Sequence, residues 1–270
     1  MFSNATLKHL AIVSKSGLCN RLRAIASAKR VCNMCGAQCT AIWDWGNYKD
    51  VFATESNFAS RTALTTEMRC AWHKIYHLQS YKGGNADNRR LHVYAFERIV
   101  LFSSFTFNAF EEPGPIFESE LRNWLPQPSE RISMIVRSFV AEFLNDAVGM
   151  HMRRTDHRPA REGSPDDLYF AEASRLADEG RKIFLATDNR ETEEMMKNRF
   201  GSSIIIYPKN PMLNKRWPRS YLPDEVIHDV VDLFLLAACD YIIGSAFSSF
   251  SRIAMLYNGS SNCKLIRRTI

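Results

Sequence analysis

The sequence has little of the glycine, proline and long hydrophobic runs that mark several large classes of protein. Only 12 glycines and 10 prolines occur among 270 residues, which excludes collagen-like chains. A chain with 46% hydrophobic and 24% charged residues can build a core, so disorder is excluded as well. The longest apolar run, Val230 to Cys239, is about half the length of a membrane helix and contains Asp232. The sequence therefore predicts a folded protein without a membrane span.

Disulfide bonds and a secretion signal are also not expected. Seven cysteines are few for this length, and their odd number leaves at least one thiol free. The first 17 residues have an apolar core of only Leu10 to Val13 and lack a basic region with a cleavable hydrophobic stretch. These features predict a cytoplasmic protein.

Motifs for several kinds of chemistry are missing from the sequence. It contains no Asp-x-Asp, no complete P-loop and no G-x-G-x-x-G, which disfavours metal-dependent sugar transfer, NTP hydrolysis and dinucleotide redox chemistry. Cys32, Cys35 and Cys39 suggest a metal site, but the first two continue the apolar stripe of a predicted helix. We therefore expect buried thiols there and no metal.

Nucleic acid is not an expected partner either. The net charge of +6, a pI near 9.0 and 11% aromatic residues raise the question. The basic residues are dispersed, however, and no recognised nucleic-acid motif occurs. The mild positive charge is compatible with an anionic ligand.

Hydrophobic periodicity predicts alternating strands and helices, which is typical of parallel sheets flanked by helices. We expect α/β architecture with two Rossmann-like domains facing a cleft, residues 1–145 on the acceptor side and residues 146–270 as the nucleotide-sugar-binding domain. In the first domain we predict strands at 7–14 and 39–45 and helices at 18–35, 65–79, 116–124 and 129–144, with Gly36 ending the first helix. In the second we predict strands at 147–152, 182–186, 203–207 and 241–243 and helices at 166–179, 191–200, 224–239 and 248–257.

Adjacent arginines follow the first strand of the second domain. Arg153 and Arg154 stand at the exit of this strand, and Asp156 follows them. Guanidinium groups match phosphate oxygens in charge and geometry, so a pair of them at the ligand edge of a parallel sheet suits a diphosphate. A surface cluster of arginine and aspartate is the alternative.

Two strand-to-helix turns offer backbone N–H groups and hydroxyls to an anion. The turn at 244–252 contains Ser248 and Ser249 at a helix start, and the turn at 14–21 has the same form in the first domain. Plain capping of the helix by Ser248 is the alternative.

Asp232 lies in an apolar run and needs a partner if it is buried. The edge of guanine, with two N–H donors, would serve. Alternatively, Asp232 shares a wet helix face with Glu225 and Asp229, and the pattern alone does not choose.

Four segments, taken in order, resemble the fucosyltransferase superfamily, which includes the NodZ-type and core α1,6-fucosyltransferases and the protein O-fucosyltransferases. They are GLCNRLRAIASA from residue 17, HMRRTD from residue 151, FLATDNRETEEMMKNRFG from residue 184 and DLFLLAACDYIIGSAFSSFSRIA from residue 232. The resemblance implies a GT-B fold, GDP-fucose as the donor substrate, a glycan hydroxyl as acceptor, inversion of the anomeric centre and no metal.

The resemblance also implies roles for individual residues. His151 and Asp232 would hold guanine, Arg153 the β-phosphate, and Ser248 with Ser249 the diphosphate, while Asn20 would meet the donor from the opposite domain. The complete set of donor-binding residues is Asn20, Arg21, His151, Arg153, Arg154, Asp232, Ser248, Ser249 and Phe250. Within this set, Arg154 has a supporting role.

The general base is expected in the segment after HMRRTD, with Glu162 the first candidate and Asp156 the second, beside Arg153 as the third catalytic residue. The sequence departs from the core α1,6 enzymes here, because the spacing from Arg158 to Glu162 is shifted by one residue. Glu162 could instead be solvated in a polar loop, and Asp156 could orient an arginine.

Two other functions remain open from the sequence. The segment IVSKSG followed by a helix resembles the sulfonate-donor loop of sulfotransferases, although that reading gives HMRRTD no role. A non-catalytic nucleotide-sugar-binding protein of the same fold is the second, because fold does not determine function.

Overall fold

Parallel β-sheets organise both parts of the chain. The computed structural model describes residues 4–14, 17–43, 51–53, 58–59, 74–77, 90–91, 93–103, 105–109, 118–155, 157–209, 223–259 and 262–268. The chain divides into two compact units, residues 1–129 and residues 130–270, which we call unit 1 and unit 2.

Unit 1 contains a five-stranded parallel sheet in the order β3-β2-β1-β6-β4 and a two-stranded sheet of β5 and β7. Its elements are β1 (His9–Val13), α1 (Leu18–Cys35), β2 (Gln38–Ile42), β3 (Phe58–Ala59), β4 (Lys74–His77), β5 (Arg90–Leu91), β6 (Arg98–Phe102), β7 (Asn108–Ala109) and a 3-10 helix (Glu118–Trp124). Helix α1 ends at Gly36, as predicted, because this residue adopts φ 68° and its N–H bonds the carbonyl of Asn33.

Unit 2 contains a second five-stranded parallel sheet, in the order β10-β9-β8-β11-β12. Its elements are α2 (Glu130–Phe143), β8 (Val148–Met152), α3 (Arg158–Gly163), α4 (Asp166–Asp178), β9 (Ile183–Thr187), α5 (Arg190–Phe200), a 3-10 helix (Gly201–Ser203), β10 (Ile204–Ile205), α6 (Pro223–Ala238), β11 (Tyr241–Ser245), α7 (Ser249–Asn258) and β12 (Cys263–Ile266). The mixed α/β class with parallel sheets is therefore confirmed.

The strand order of unit 2 determines where a ligand can bind. The chain builds outward from β8 through β9 to β10, and then returns to place β11 and β12 on the other side of β8. The connections that leave β8 and β11 consequently diverge, and in open α/β sheets the crevice at such a reversal receives the ligand. This crevice lies beyond the carboxyl ends of β8 and β11, at Met152 and Ser245.

The core of unit 2 is centred on β8 and β9, where all five positions of each strand are buried. Continuous burial, rather than alternation, is expected of a parallel sheet that is covered on both faces. Tyr169, Ala173 and Leu176 of α4 and Met196 of α5 pack against these strands. The rigid strands hold the residues at their ends in place.

The structure differs from the predicted boundary between the two units. The chain divides after Ser129, whereas the sequence predicts the division after residue 145. The reason is α2, which was predicted at the end of the first domain but packs against α6 of unit 2.

The predictions for the middle of the chain were partly wrong. The predicted helix at 65–79 is contradicted at Lys74–His77, which form the edge strand β4 beside β6, and its other residues lie outside the described part. The predicted helix at 116–124 is present at residues 118–124, as a 3-10 helix. Strands β6 and β12 and helix α3 were not predicted, because short apolar or polar segments carry little periodicity.

None of the described helices is long and apolar enough to cross a bilayer.

Candidate functional site

The hydroxyl of Ser245 joins the carboxyl ends of β8 and β11. Its Oγ accepts a hydrogen bond from the backbone N–H of Arg153 at 2.9 Å and lies 3.1 Å from the carbonyl oxygen of His151. The buried hydroxyl of Tyr169 lies 2.7 Å from the same Oγ. These contacts fix the direction in which the chain leaves β8, and therefore the position of the Arg153 backbone.

Helix α7 starts close against the end of β11 because Gly244 has no side chain. A Cβ atom on Gly244 would lie 2.6 Å from Cβ of Ser251. The hydroxyl of Ser251 accepts a hydrogen bond from the N–H of Ser245 at 2.9 Å and lies 2.7 Å from Nδ1 of His151. The N-terminus of α7 is thereby placed beside the end of β8.

His151 is a buried, neutral imidazole. Its pKa is lowered to about 3, chiefly by burial; Asp188 acts in the opposite direction, and the charges of Arg153 and Lys209 add to the lowering. Nδ1 shares a hydrogen bond with the hydroxyl of Ser251, and in the tautomer in which Nδ1 accepts it, Nε2 carries the ring proton. The neutral ring therefore has one N–H donor, and it does not take up a second proton near neutral pH.

Arg153 is held by the carboxylate of Asp188, which follows the neighbouring strand β9. Arg153 Nη1 lies 2.6 Å from Asp188 Oδ2, and the arginine side chain keeps 30% of its surface exposed. Asp188 also accepts hydrogen bonds from the N–H of Arg154 and the hydroxyl of Thr155. Burial raises the pKa of Asp188, but Arg153 and these donors outweigh it, so the pKa is lowered and the carboxylate stays ionised.

Asp188 was not among the predicted site residues, although it stands in the recognised segment FLATDNRETEEMMKNRFG. Its position in the sequence could have indicated it, because Asp188 directly follows the buried strand β9, just as Arg153 directly follows β8. The order of strands in the sheet, which brings β9 beside β8, was needed to connect the two residues.

Arg154 turns back into the fold. Its guanidinium donates to the carbonyl of Ser164 at 2.9 Å, pairs with Asp166 at 2.6 Å and lies 5.0 Å from the ring centre of Tyr169. Only 9% of the side chain is exposed. These contacts give Arg154 a role in ordering the segment after β8.

Asp232 is buried on α6, which excludes the wet helix face that the sequence left open. Its Oδ2 lies 2.7 Å from Nζ of Lys209, a residue that the sequence analysis did not single out. Lys209 also contacts Glu193 at 3.1 Å and the carbonyl oxygen of Thr187 at 3.0 Å. A buried carboxylate is thus present, with a cation beside it.

The serines of the second turn lie at the start of α7. Ser248 is buried at the N-cap position, as the capping alternative expects, but its side chain makes no capping hydrogen bond. Ser249 is half-buried, and Phe250 stacks on His151 with ring centres 4.7 Å apart. Phe247, before them, has φ 60° and is half exposed. A buried hydroxyl and the positive end of a helix dipole therefore lie together at this turn.

The two candidates for the general base differ in what the structure says of them. Glu162 lies on α3, with 61% of its side chain exposed, and pairs with Arg158 at 2.6 Å. Asp156 lies outside the described residues. The exposure of Glu162 therefore favours the alternative in which this residue is solvated, rather than held among the groups at the strand ends.

The predicted residues of unit 1 lie in the first turn of α1. Asn20 is partly buried, and Arg21 is 1% exposed with its guanidinium 5.4 Å from the ring centre of Trp43. Arg21 therefore packs inside unit 1, beside the residue that follows β2.

The cysteines of α1 and β2 lie together. Cys32 is buried, and a hydrogen bond to Cys39 together with burial raises the pKa of its thiol. Within the described ranges, no group of three or more histidine, cysteine, aspartate or glutamate side chains is arranged to hold a metal ion.

Solved structures of fucosyltransferases are similar to this chain. POFUT1 in complex with GDP matches over 98% of this chain and 99% of that chain, with 10% identity and a TM-score of 0.54. A variant of Arabidopsis thaliana FUT1 in complex with GDP matches over 93% and 68%, with 13% identity and a TM-score of 0.59. NodZ α-1,6-fucosyltransferase co-crystallized with GDP matches over 92% and 91%, with 14% identity and a TM-score of 0.57.

No protein-family model and no curated protein sequence matches the chain. The chain and these solved structures are alike in fold. Their sequence identity of 10–14% is too low for a comparison of sequences alone. The likeness bears out the fold that the four sequence motifs led us to expect: this chain shares its α/β fold of parallel sheets with solved fucosyltransferases.

Proposed function

We propose that the protein is an inverting glycosyltransferase that transfers fucose from GDP-fucose to a glycan hydroxyl without a metal ion. One observation carries the proposal. Arg153, held by Asp188, lies at the reversal of the strand order in unit 2, where a nucleotide is expected in such a sheet. The proteins of similar shape contain GDP.

The donor would be bound by three groups of unit 2. The guanidinium of Arg153 would meet the β-phosphate, and the start of α7, with Ser248 and Ser249, would hold the diphosphate by N–H groups and hydroxyls. Asp232 and the Nε2–H of His151 would bind guanine, one as acceptor and one as donor.

In the proposed reaction, the acceptor oxygen attacks the anomeric carbon from the side opposite GDP. The new C–O bond forms while the bond from the anomeric carbon to the β-phosphate oxygen breaks, and the electron pair stays on the phosphate. A charged donor that is already in place stabilises this developing charge, because it does not have to reorganise during the reaction. Arg153 is that donor, and Asp188 keeps it in place.

The proton of the acceptor hydroxyl must leave during the attack. We propose that it goes to a carboxylate in the segment after β8, with Glu162 and Asp156 as the candidates. The ionised Asp188 is already engaged by Arg153, Arg154 and Thr155, so it serves these groups rather than the acceptor.

A nucleotide panel tests the donor. The thermal midpoint is measured with GDP, UDP, CDP and adenosine bisphosphate, because a specific ligand stabilises the folded state by mass action. GDP is expected to give the largest shift. A shift with adenosine bisphosphate alone would instead favour a sulfotransferase, and the proposal would then be abandoned.

Turnover is tested separately from binding. Incubation with GDP-fucose and a mixture of glycans is followed by measurement of released GDP and of fucosylated product. Binding of GDP without any product would favour the non-catalytic alternative.

A further inference from the structure

Lys209 connects three elements at the base of the proposed guanine site. Its Nζ lies 2.7 Å from Asp232 on α6, 3.1 Å from Glu193 on α5 and 3.0 Å from the carbonyl oxygen of Thr187 at the end of β9. The side chain is 23% exposed. Neither a family motif nor the sequence pattern singled out this residue.

Lys209 places a positive charge beside Asp232. Asp232 has only 7% of its side chain exposed, and a buried carboxylate without a neighbouring cation takes up a proton. Lys209 stays protonated. Burial alone would lower its pKa, but the neighbouring carboxylates of Asp232 and Glu193 have the larger combined effect, and the pKa is raised. Lys209 is therefore a permanent positive charge next to Asp232.

The protonation state of Asp232 decides which base it fits. Guanine presents two adjacent donors, the N1–H and the 2-amino group, and an ionised carboxylate accepts from both. A protonated carboxyl group carries its own donor and accepts from only one. Adenine presents an acceptor at N1 beside its amino group, so it gains nothing from the ionised form.

We propose that Lys209 is a positioning residue that keeps Asp232 ionised and oriented, and that it thereby sets the preference for guanine over adenine at this site. The inference rests on the proposed function, because it takes Asp232 as the acceptor for the base. It goes beyond that function by naming the residue on which base selection depends.

The test compares the affinities of GDP and ADP for the full-length chain. The first variant is Lys209→Met, which keeps the length of the side chain and removes the charge. We expect GDP affinity to fall about tenfold to a hundredfold, which corresponds to the loss of one charge-assisted hydrogen bond. ADP affinity is expected to stay the same or to rise, since the diphosphate contacts are retained and a protonated carboxyl group can donate to N1 of adenine.

Two further variants separate charge from packing. Lys209→Arg keeps the charge and is expected to keep most of the preference for GDP. Lys182→Met is the matched control, because Lys182 is exposed and bonds the carbonyl of Ser202. It is expected to bind both nucleotides like the unaltered protein.

If Lys209→Met lowers the affinities for GDP and ADP by the same factor, the residue has only a structural role and the inference is overturned. If the unaltered protein does not prefer GDP, the proposed function itself fails.

Folding of each variant is checked by its thermal midpoint without nucleotide. Should Lys209→Met not fold, Lys209→Gln takes its place, because it removes the charge and keeps a polar group beside Asp232. It is expected to fold and to show the same loss of preference. A preserved preference in this variant would also overturn the inference.

Discussion

Arg153 combines two properties at the end of β8: it is held firmly by Asp188 and remains partly open to solvent. An arginine that served only as a surface ion pair would contribute little to stability and nothing to a reaction. An arginine that meets the β-phosphate would instead act on the leaving group. The two possibilities predict different results for one substitution.

We expect Arg153→Ala to slow transfer about a hundredfold to a thousandfold, because this is the usual effect of removing one preorganised donor. The fold should be retained, since the strand ends are held by Ser245 rather than by the guanidinium. The rate with saturating donor is the measurement. Arg137→Ala, an exposed arginine on α2, serves as the control and should be unchanged. Near-normal transfer by Arg153→Ala would exclude the role in leaving-group departure.

His151 gives the protein a pH dependence of stability with a definite sign. In the unfolded chain the imidazole takes up a proton near pH 6.5, whereas in the folded state its pKa is about 3. Between these values the unfolded state binds more protons, so stability is lost as the pH falls.

We expect His151→Gln to reduce the loss of unfolding free energy between pH 6.5 and pH 4.5 by roughly 2–3 kcal/mol. Urea denaturation at the two pH values measures it. Between pH 7.5 and pH 8.5 the imidazole is neutral in both the folded and the unfolded state. In this range the unfolding free energies of the unaltered protein and of His151→Gln should therefore change in parallel. Equal slopes in the acidic window would mean that His151 is accessible to protons in the folded state.

At the scale of elements, the segment after β8 contains both candidates for the base, Glu162 on α3 and Asp156 before it. A general base adds about a hundredfold to ten-thousandfold to a rate. We expect one of Glu162→Gln and Asp156→Asn to show this loss, together with a change in the acidic limb of the pH–rate profile. Measurement of GDP affinity distinguishes a base from a residue that only orients an arginine. If both variants keep the rate and the profile, the base lies elsewhere or the leaving phosphate takes the proton.

The contact between β11 and α7 leads to a prediction about packing. A methyl group at Gly244 would lie 2.6 Å from Cβ of Ser251, so the helix must shift and the bonds of Ser251 are disturbed. We expect Gly244→Ala to destabilise the protein by about 1–3 kcal/mol. GDP affinity should fall as well. An unchanged midpoint for Gly244→Ala would show that α7 adjusts freely.

The sequence predicted those elements whose own residues carry a strong pattern. Strand β8 and helix α6 are apolar runs of distinct length, and both were expected. Strand β4 was missed because a short edge strand has no pattern to separate it from a helix. The pairing of Arg153 with Asp188, and of Asp232 with Lys209, depends on which strands become neighbours. Sheet order arises from long-range packing, so spacing along the chain does not contain it.

At the scale of the whole molecule, the proposed reaction needs a GDP-linked donor and no metal ion. We expect GDP to raise the unfolding free energy by about 2.7 kcal/mol at a concentration of 100 times Kd. A chelator should leave transfer unchanged, because in the proposed reaction Arg153 and the start of α7 would supply the positive charge that a cation supplies elsewhere. Transfer is measured before and after treatment with the chelator, and after addition of magnesium or manganese. Strict dependence on either ion would contradict the metal-free reaction.

The order of strands in unit 2 also bears on how this part of the protein is made. Ser245 and Arg153 are 92 residues apart, and His151 and Ser251 are 100 residues apart, yet each pair is in contact. During synthesis, β8 emerges long before β11, and one side of this central strand stays open until residue 245 has left the ribosome. An unpaired apolar strand edge invites association with other chains. Closure of such distant contacts is slow, so nascent or truncated chains that end before β11 are expected to aggregate.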